Sequence, residues 1–165
     1  MISLKSSRWW IVPAVALILS ASTALSPAMP VVSAQPLGKP EAADAAAKKD
    51  ALAAMQTWLG QIDVGNYANS WSQSAKSFQK AINSEQWQTA LKGVRTPLGK
   101  SLQRQLASAA YQTVPPKGAI TTTSYFVIAQ FDSSFENLKY ARETVTFEKE
   151  TDGKWRAAGY YIKPQ

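Results

Sequence analysis

Residues 139–162 read KYARETVTFEKETDGKWRAAGYYI, and this stretch decides the fold. On both sides of a central TDGK sequence, apolar and polar side chains alternate with the period of two that is typical of β-strands. Between them, Gly153 can adopt positive φ without steric cost, and Asp152 tolerates the same backbone region. The stretch therefore predicts an antiparallel β-hairpin.

Three segments upstream of the hairpin show the apolar spacing of amphipathic helices. We expect the first helix to end near Gly65, with Asn66 capping the second. The second is predicted over residues 67–82, and the third begins with Ser84 as its N-cap and is closed by TPLG at 96–99. The apolar faces consist of Leu52, Met55, Leu59 and Ile62 in the first helix, Tyr67, Trp71, Phe78 and Ile82 in the second, and Trp87, Leu91 and Val94 in the third.

Residues 100–113 give an ambiguous signal. Leu98, Leu102 and Leu106 have helical spacing in a segment rich in Ala, Gln and Leu, so local signals predict a helix. The VPPKG run at 114–118 breaks this pattern, and the apolar residues of 125–131 predict a strand. Helices therefore precede consecutive strands, which predicts an α+β domain with N-terminal helices packed on one face of an antiparallel sheet.

The first 34 residues have the layout of a secretory signal peptide. Lys5 and Arg8 precede a short apolar run at 9–19, and small residues follow as far as VSA at 32–34. We expect cleavage before Gln35. Cleavage after Ala24 or Ala28 is the alternative.

An uncleaved membrane anchor is the other interpretation of this segment. The apolar run is much shorter than the roughly 20 residues needed to span a bilayer, so cleavage is favoured. The predicted organisation is a signal peptide over 1–34, a linker and frayed helix start over 35–50, and a single α+β domain over 51–165. We therefore expect a periplasmic or secreted protein, with membrane contact only if the N-terminal segment is retained.

Composition excludes several classes of function. The chain has no cysteine and no histidine, so disulfides, thiolate chemistry and the commonest general base and metal ligand are absent. The net charge is +7, but the basic residues are dispersed among acidic ones instead of forming a block. We expect no metal, no cofactor and no nucleic acid.

Short motifs along the chain resemble one known family. They are Asp63-Val64-Gly65-Asn66-Tyr67, Ser70-Trp71, Trp87, Arg95-Thr96-Pro97-Leu98-Gly99, Arg104, Tyr125, Phe131, Phe135, Glu143-Thr144-Val145, Asp152-Gly153-Lys154-Trp155-Arg156 and Gly159-Tyr160. Together, over roughly residues 51–163, they resemble the bacterial envelope family known as domain of unknown function 4019. This chain departs from the family pattern in having a longer spacing between Gly118 and Tyr125, which would reshape a cleft mouth.

The resemblance implies a cystatin-like, nuclear transport factor 2-like cone, in which helices pack on a curved four-stranded antiparallel sheet. It implies a strand over 100–113, and we adopt that interpretation over the local helical signal. Other proteins of this fold enclose a pocket used for catalysis or for small ligands, although fold alone does not carry function. The candidate pocket lining is Trp71, Phe78, Tyr125, Phe131 and Trp155.

Few residues are candidates for chemistry. Glu143 shares a strand face with Val145, and Arg104 lies in the preceding candidate strand, so the two are expected to form a buried ion pair. We interpret this pair as structural, and Asp63 and Glu136 as turn and cap residues.

The function expected from these observations is a non-catalytic binding or interaction module of the cell envelope. It would hold a small amphipathic ligand in the pocket, or dock an envelope protein or a second copy through its sheet. An enzyme that uses Glu143 or another carboxylate is the less favoured alternative. A pocket that stays open would support ligand binding, whereas a filled interior with an exposed apolar sheet would support docking.

Overall fold

The computed structural model describes residues 39–117 and 122–165, and the predicted signal segment lies outside them. The elements are α1 (Lys39–Asp63), α2 (Tyr67–Ser72), α3 (Lys76–Ala81), α4 (Ser84–Arg95), a 3₁₀ turn (Thr96–Leu98), β1 (Ser101–Val114), β2 (Ser124–Phe135), β3 (Leu138–Lys149) and β4 (Trp155–Pro164). Much of the stretch assigned to the linker and frayed helix start is therefore part of α1.

The four strands form one antiparallel sheet in the order β1-β2-β3-β4. The predicted α+β class, with helices first and the sheet after them, is confirmed. The hairpin at the end of the chain is also confirmed, since β3 and β4 pair around a turn in which Gly153 has φ 79°. None of the described helices is long and apolar enough to cross a bilayer.

Residues 101–114 form a strand, so the local helical signal was wrong and the implied strand is confirmed. The strand pairs with β2 along its whole length. Leu102 and Leu106 are 66% and 43% exposed, so their helical spacing does not mark a buried face. Tertiary pairing overrides the helix propensity of this Ala- and Gln-rich segment.

The predicted second helix is broken into α2 and α3, which corrects the continuous helix expected over 67–82. Ala75 is extended, with ψ 152°, and its N–H donates to the carbonyl of Ala157 in β4 at 2.8 Å. The Gln79 amide donates to the carbonyls of Trp71, Ser72 and Ser74 and satisfies the end of α2. The break thus covers part of the β4 edge.

The helix ends agree only partly with prediction. Gly65 has φ 77°, and the Asn66 N–H bonds back to the Gln61 carbonyl at 2.8 Å, so the predicted end of α1 is confirmed as a Schellman motif. Asn66 occupies the N-cap position of α2 without a side-chain cap bond. The N-cap of α4 is Asn83 and not Ser84, because Asn83 forms a capping box with Gln86.

Aromatic side chains fill the space between the helices and the sheet. Trp58 contacts Trp87, Phe147 and Tyr160 with ring centroids 5.8–6.1 Å apart. Ser70, fully buried, accepts the indole N–H of Trp58 at its carbonyl and that of Trp87 at its hydroxyl. The polar edges of the large rings are therefore satisfied inside the core.

The turn after α4 is locked onto the β2–β3 hairpin. Gly99 has φ 75° and ψ −157°, a combination that is essentially restricted to glycine. The next N–H, from Lys100, donates to the Glu136 carboxylate at 2.9 Å, and the Asn137 N–H donates to the Leu98 carbonyl at 3.0 Å. Glu136 thus caps this turn.

Replacing Gly99 by alanine should lower the free energy of unfolding by about 1–3 kcal/mol from backbone strain alone. The added Cβ would also lie 2.6 Å from a carboxylate oxygen of Glu136. Urea unfolding monitored by circular dichroism measures the effect. Gly93→Ala is the matched control, since nothing lies within 4 Å of that helical glycine, and it should stabilise the protein. Equal effects of the two variants would contradict this account.

Candidate functional site

Six polar side chains from six elements meet on the helix-facing side of the sheet. This ion cluster consists of Asp63 (α1), Arg95 (α4), Arg104 (β1), Ser133 (β2), Glu143 (β3) and Tyr160 (β4). It contains two cations and two carboxylates, so its formal charge is balanced.

Glu143 lies at the centre of the ion cluster and is fully buried. It pairs across the sheet with Phe131 and Ile162, which fixes its side chain on the core face. Arg104 donates to both carboxylate oxygens, at 2.6 and 3.1 Å, and the hydroxyls of Ser133 and Tyr160 each add a bond of 2.5 Å. Four donors therefore hold this carboxylate.

Asp63 connects the ion cluster to the end of α1. Its oxygens accept two bonds from Arg104, at 2.7 and 2.9 Å, and one from Arg95 at 2.9 Å. The guanidinium of Arg95 also lies 4.3 Å from the centre of the Phe135 ring. Among the described residues, no partner is found for Nε or Nη1 of Arg95. The interpretation of Asp63 as a turn residue missed its role as a bridge.

The charges of the ion cluster reinforce one another. Burial lowers the pKa of Arg104, but hydrogen bonds to Asp63 and Glu143 outweigh it and raise that pKa above its usual value, so the guanidinium stays charged. Burial, followed by the charge of Glu143, raises the pKa of Tyr160 well above its usual value. Tyr160 therefore remains a neutral donor to Glu143.

The expected partners Arg104 and Glu143 are thus in direct contact, but the sequence interpretation missed most of the surrounding cluster. Asp63, Arg95 and Tyr160 all lie in the motifs quoted for the family resemblance. Their position in these motifs was the sequence signal that could have identified them as members of the ion cluster. Ser133 carried no signal.

A second candidate site is an open cleft of about 980 Å³ toward the other end of the strands. Tyr111, Tyr125 and Trp155 form its aromatic wall. The ring centroids of the two tyrosines are 6.3 Å apart with planes 14° from parallel, and Trp155 meets Tyr111 edge-on at 6.4 Å. The remaining lining residues come mainly from the start of α3, from residues 122–124 and from the β3–β4 turn.

Only two of the five predicted lining residues, Tyr125 and Trp155, border this cleft. Phe78 and Phe131 are buried in the core instead. Trp71 packs against the core and donates its indole N–H to the Ile82 carbonyl at 2.8 Å. Tyr111 was missed because it lies in the segment with the ambiguous secondary-structure signal.

The rim of the cleft is polar and internally bonded. Arg156 bonds to Glu150 and to Asp152, each at 2.6 Å, and hydrogen bonding from Arg156 holds the pKa of Asp152 below its usual range. The Glu148 carboxylate accepts from Ser77 at 2.5 Å. These bonds fix the β3–β4 turn against the start of α3.

The indole of Trp155 differs from the other described indoles. Trp58, Trp71 and Trp87 each donate their N–H to a protein oxygen. No described residue accepts from the N–H of Trp155.

The described part of the chain holds no group of three or more acidic side chains arranged to bind a metal ion.

These features define an α+β domain whose helices cover one face of a four-stranded antiparallel sheet. A family model described as "Protein of unknown function (DUF4019)" matches residues 54–160, and the chain belongs to that family. The resemblance drawn from the sequence motifs is thereby confirmed. No curated protein and no solved structure is significantly similar to this chain.

The Glu143→Gln substitution should lower the free energy of unfolding by about 3–5 kcal/mol, because it leaves Asp63 as the only carboxylate of the ion cluster to balance two cations. The matched control is Asp132→Asn, which removes the carboxylate of an exposed pair with Arg142. That change should cost less than about 1 kcal/mol. Urea titrations at pH 7 compare the two variants, and similar losses would show that the ion cluster contributes no more than a surface pair.

Stability should fall above about pH 10, where tyrosine in an unfolded chain loses its proton. Because the pKa of Tyr160 is raised in the folded state, the folded protein keeps that proton and the unfolded state gains relative stability. The Tyr160→Phe variant should lose about 1.5–3 kcal/mol at neutral pH but show a shallower alkaline decline. Urea unfolding between pH 8 and 11 measures both. The exposed Tyr140→Phe variant is the control, and it should follow the wild-type curve.

Proposed function

We propose that this protein is an exported, non-catalytic binding module of the cell envelope that holds a small amphipathic ligand in the cleft. The observation that carries the proposal is the aromatic wall of Tyr111, Tyr125 and Trp155, which remains open after the core has packed. An apolar wall with a few directed polar groups is the usual composition of a small-molecule site.

The packing of the interior supports placing the ligand in the cleft and not in the centre of the domain. Trp58, Trp87, Phe147 and Tyr160 are buried and contact one another between the helices and the sheet. The cleft, in contrast, has solvent-exposed residues along its rim, including Thr123 and Asp152. A ligand can reach this cleft without unpacking the core.

The bonding of Glu143 favours a non-catalytic role over an enzyme. A general base must offer a lone pair to the proton that it removes. The oxygens of Glu143 already accept four bonds from three side chains, and the residue is fully buried. Substrate access to this carboxylate would require dismantling the ion cluster. The proposal therefore treats Glu143 as structural.

Export is the part of the proposal that rests on sequence alone. The arrangement of residues 1–34 supports cleavage before Gln35 and a periplasmic or secreted mature protein. Retention of this segment would instead tether the same domain to the inner membrane.

A second candidate function is docking of an envelope protein or a second copy through β1. This 14-residue strand forms one edge of the sheet, and it exposes Leu102 and Leu106. Arg104 is its only charged residue, and that side chain is engaged in the ion cluster. An edge strand with few charges can pair with a strand of another chain.

A native mass spectrum of protein recovered from the envelope fraction should show a chain beginning at Gln35 with an added small-molecule mass. The added mass should be lost in Tyr125→Ala and Trp155→Phe, because these changes remove aromatic contact and the indole donor of Trp155. Tyr140→Ala is the control, since that side chain is 71% exposed and lies outside the cleft.

The same spectrum separates the alternatives. A processed chain without added mass would contradict the ligand role, and a processed dimer without added mass would favour docking through β1. An unprocessed mass would contradict export by cleavage.

A further inference from the structure

We infer that the ligand of the cleft is a neutral saccharide. This inference rests on the proposed function and deepens it. A sugar ring is amphipathic, since one face presents C–H groups and the edge presents hydroxyls. The cleft provides a matching surface for each.

The aromatic wall matches the C–H face of a sugar. An aromatic ring is negative over its face, so it attracts the weakly positive hydrogens of C–H groups stacked on it. Tyr111 and Tyr125 are nearly parallel, and Trp155 stands at 76° to Tyr111, so the wall offers rings in two orientations. Tyr125 is 38% exposed and is available for such contact.

The rim matches the hydroxyl edge of a sugar. Seven of the described lining residues other than the tyrosines carry hydroxyls. Those of Ser72, Ser74 and Ser77 already donate to Asn69, Ser70 and Glu148, whereas no described hydrogen-bond partner is found for those of Thr122, Thr123, Ser124 and Thr151. A hydroxyl both donates and accepts, as the hydroxyls of a sugar do. No described residue accepts from the indole N–H of Trp155, and the carboxylate of Glu148, which accepts from Ser77 through one oxygen, adds an acceptor at the other.

Charge balance favours a neutral ligand over an anion or a cation. Among the described residues that line the cleft, three are basic and three are acidic: Lys76, Lys149, Arg156, Glu148, Glu150 and Asp152. The guanidinium of Arg156 is already bonded to Glu150 and Asp152. A phosphate or carboxylate ligand would therefore meet no net positive field.

Solvent exposure disfavours an acyl chain. Thr122, Thr123, Lys149 and Asp152 are exposed on the rim. An acyl chain gains its binding energy by leaving water for an enclosed apolar space. Along this polar and open rim it would remain largely hydrated.

A proline-rich peptide is the closest competitor, because such peptides also dock in aromatic-lined grooves. Proline has no N–H, so a run of prolines offers acceptors only. The rim hydroxyls of Thr122, Thr123 and Thr151 can accept as well as donate, and a run of prolines offers them no donor. Sugar hydroxyls supply both donors and acceptors, and this difference favours the saccharide.

The test is a titration of the ¹⁵N-labelled processed protein with maltotetraose, cellotetraose and chitotetraose, followed by NMR. The indole N–H resonance of Trp155 is a local reporter. At least one neutral tetrasaccharide should shift this resonance saturably. Tyr125→Ala and Trp155→Phe should weaken the affinity at least tenfold, whereas Tyr140→Ala should change it less than twofold.

Decaproline and sodium decanoate are titrated in parallel, as probes for a proline-rich peptide and for an acyl chain. If either shifts the resonances of the cleft and no tetrasaccharide does, the saccharide assignment is overturned while the binding function stands. If no probe binds but the protein from the envelope carries a small-molecule mass that is not a saccharide, the assignment is also overturned. If no probe binds and that protein carries no added mass, the proposed function fails as well.

Discussion

The rest of the fold depends on the contacts that the Arg104 guanidinium makes with Asp63 and Glu143. Asp63 ends the longest helix and Glu143 lies in the middle of the sheet, so one side chain joins the two layers. A buried carboxylate is tolerated only with a charged partner and satisfied hydrogen bonds. These contacts therefore fix the position of the end of α1 relative to the sheet. They also require residues 101–114 to form a strand whose Arg104 side chain points toward the helices.

Much of the fold could be predicted from the sequence because its strongest signals are local. Alternating side chains and an Asp-Gly turn define the last hairpin, and Gly65 marks the end of α1 through its positive φ. Two features depend on distant contacts and were not locally visible. The β1 segment becomes a strand by pairing with β2, and the helix after Tyr67 breaks where Ala75 bonds to β4. Helix propensity contains no information about either partner.

The candidate sites were predicted less well, for a physical reason. Arg104 and Glu143 could be paired because a buried acid on a strand face demands a cation. The cleft could not be predicted in the same way, because an aromatic residue in the core and one in a cleft wall have the same sequence signature. Phe78 and Tyr125 illustrate this, since the first packs inside the core and the second borders the cleft with 38% of its surface exposed. Only tertiary placement separates them.

Much of the rim of the cleft comes from two loop tips, whereas its aromatic wall and the ion cluster come from strands and helix ends. Residues 122–124 lead into β2, and Glu150–Gly153 form the turn between β3 and β4. Loop tips accept insertions and substitutions at little cost to the elements that they connect. The rim of the cleft is thus encoded largely apart from the scaffold that supports its aromatic wall. A domain built in this way can change its binding preference over evolution while its scaffold stays intact, and the same two loops are the natural positions for laboratory diversification.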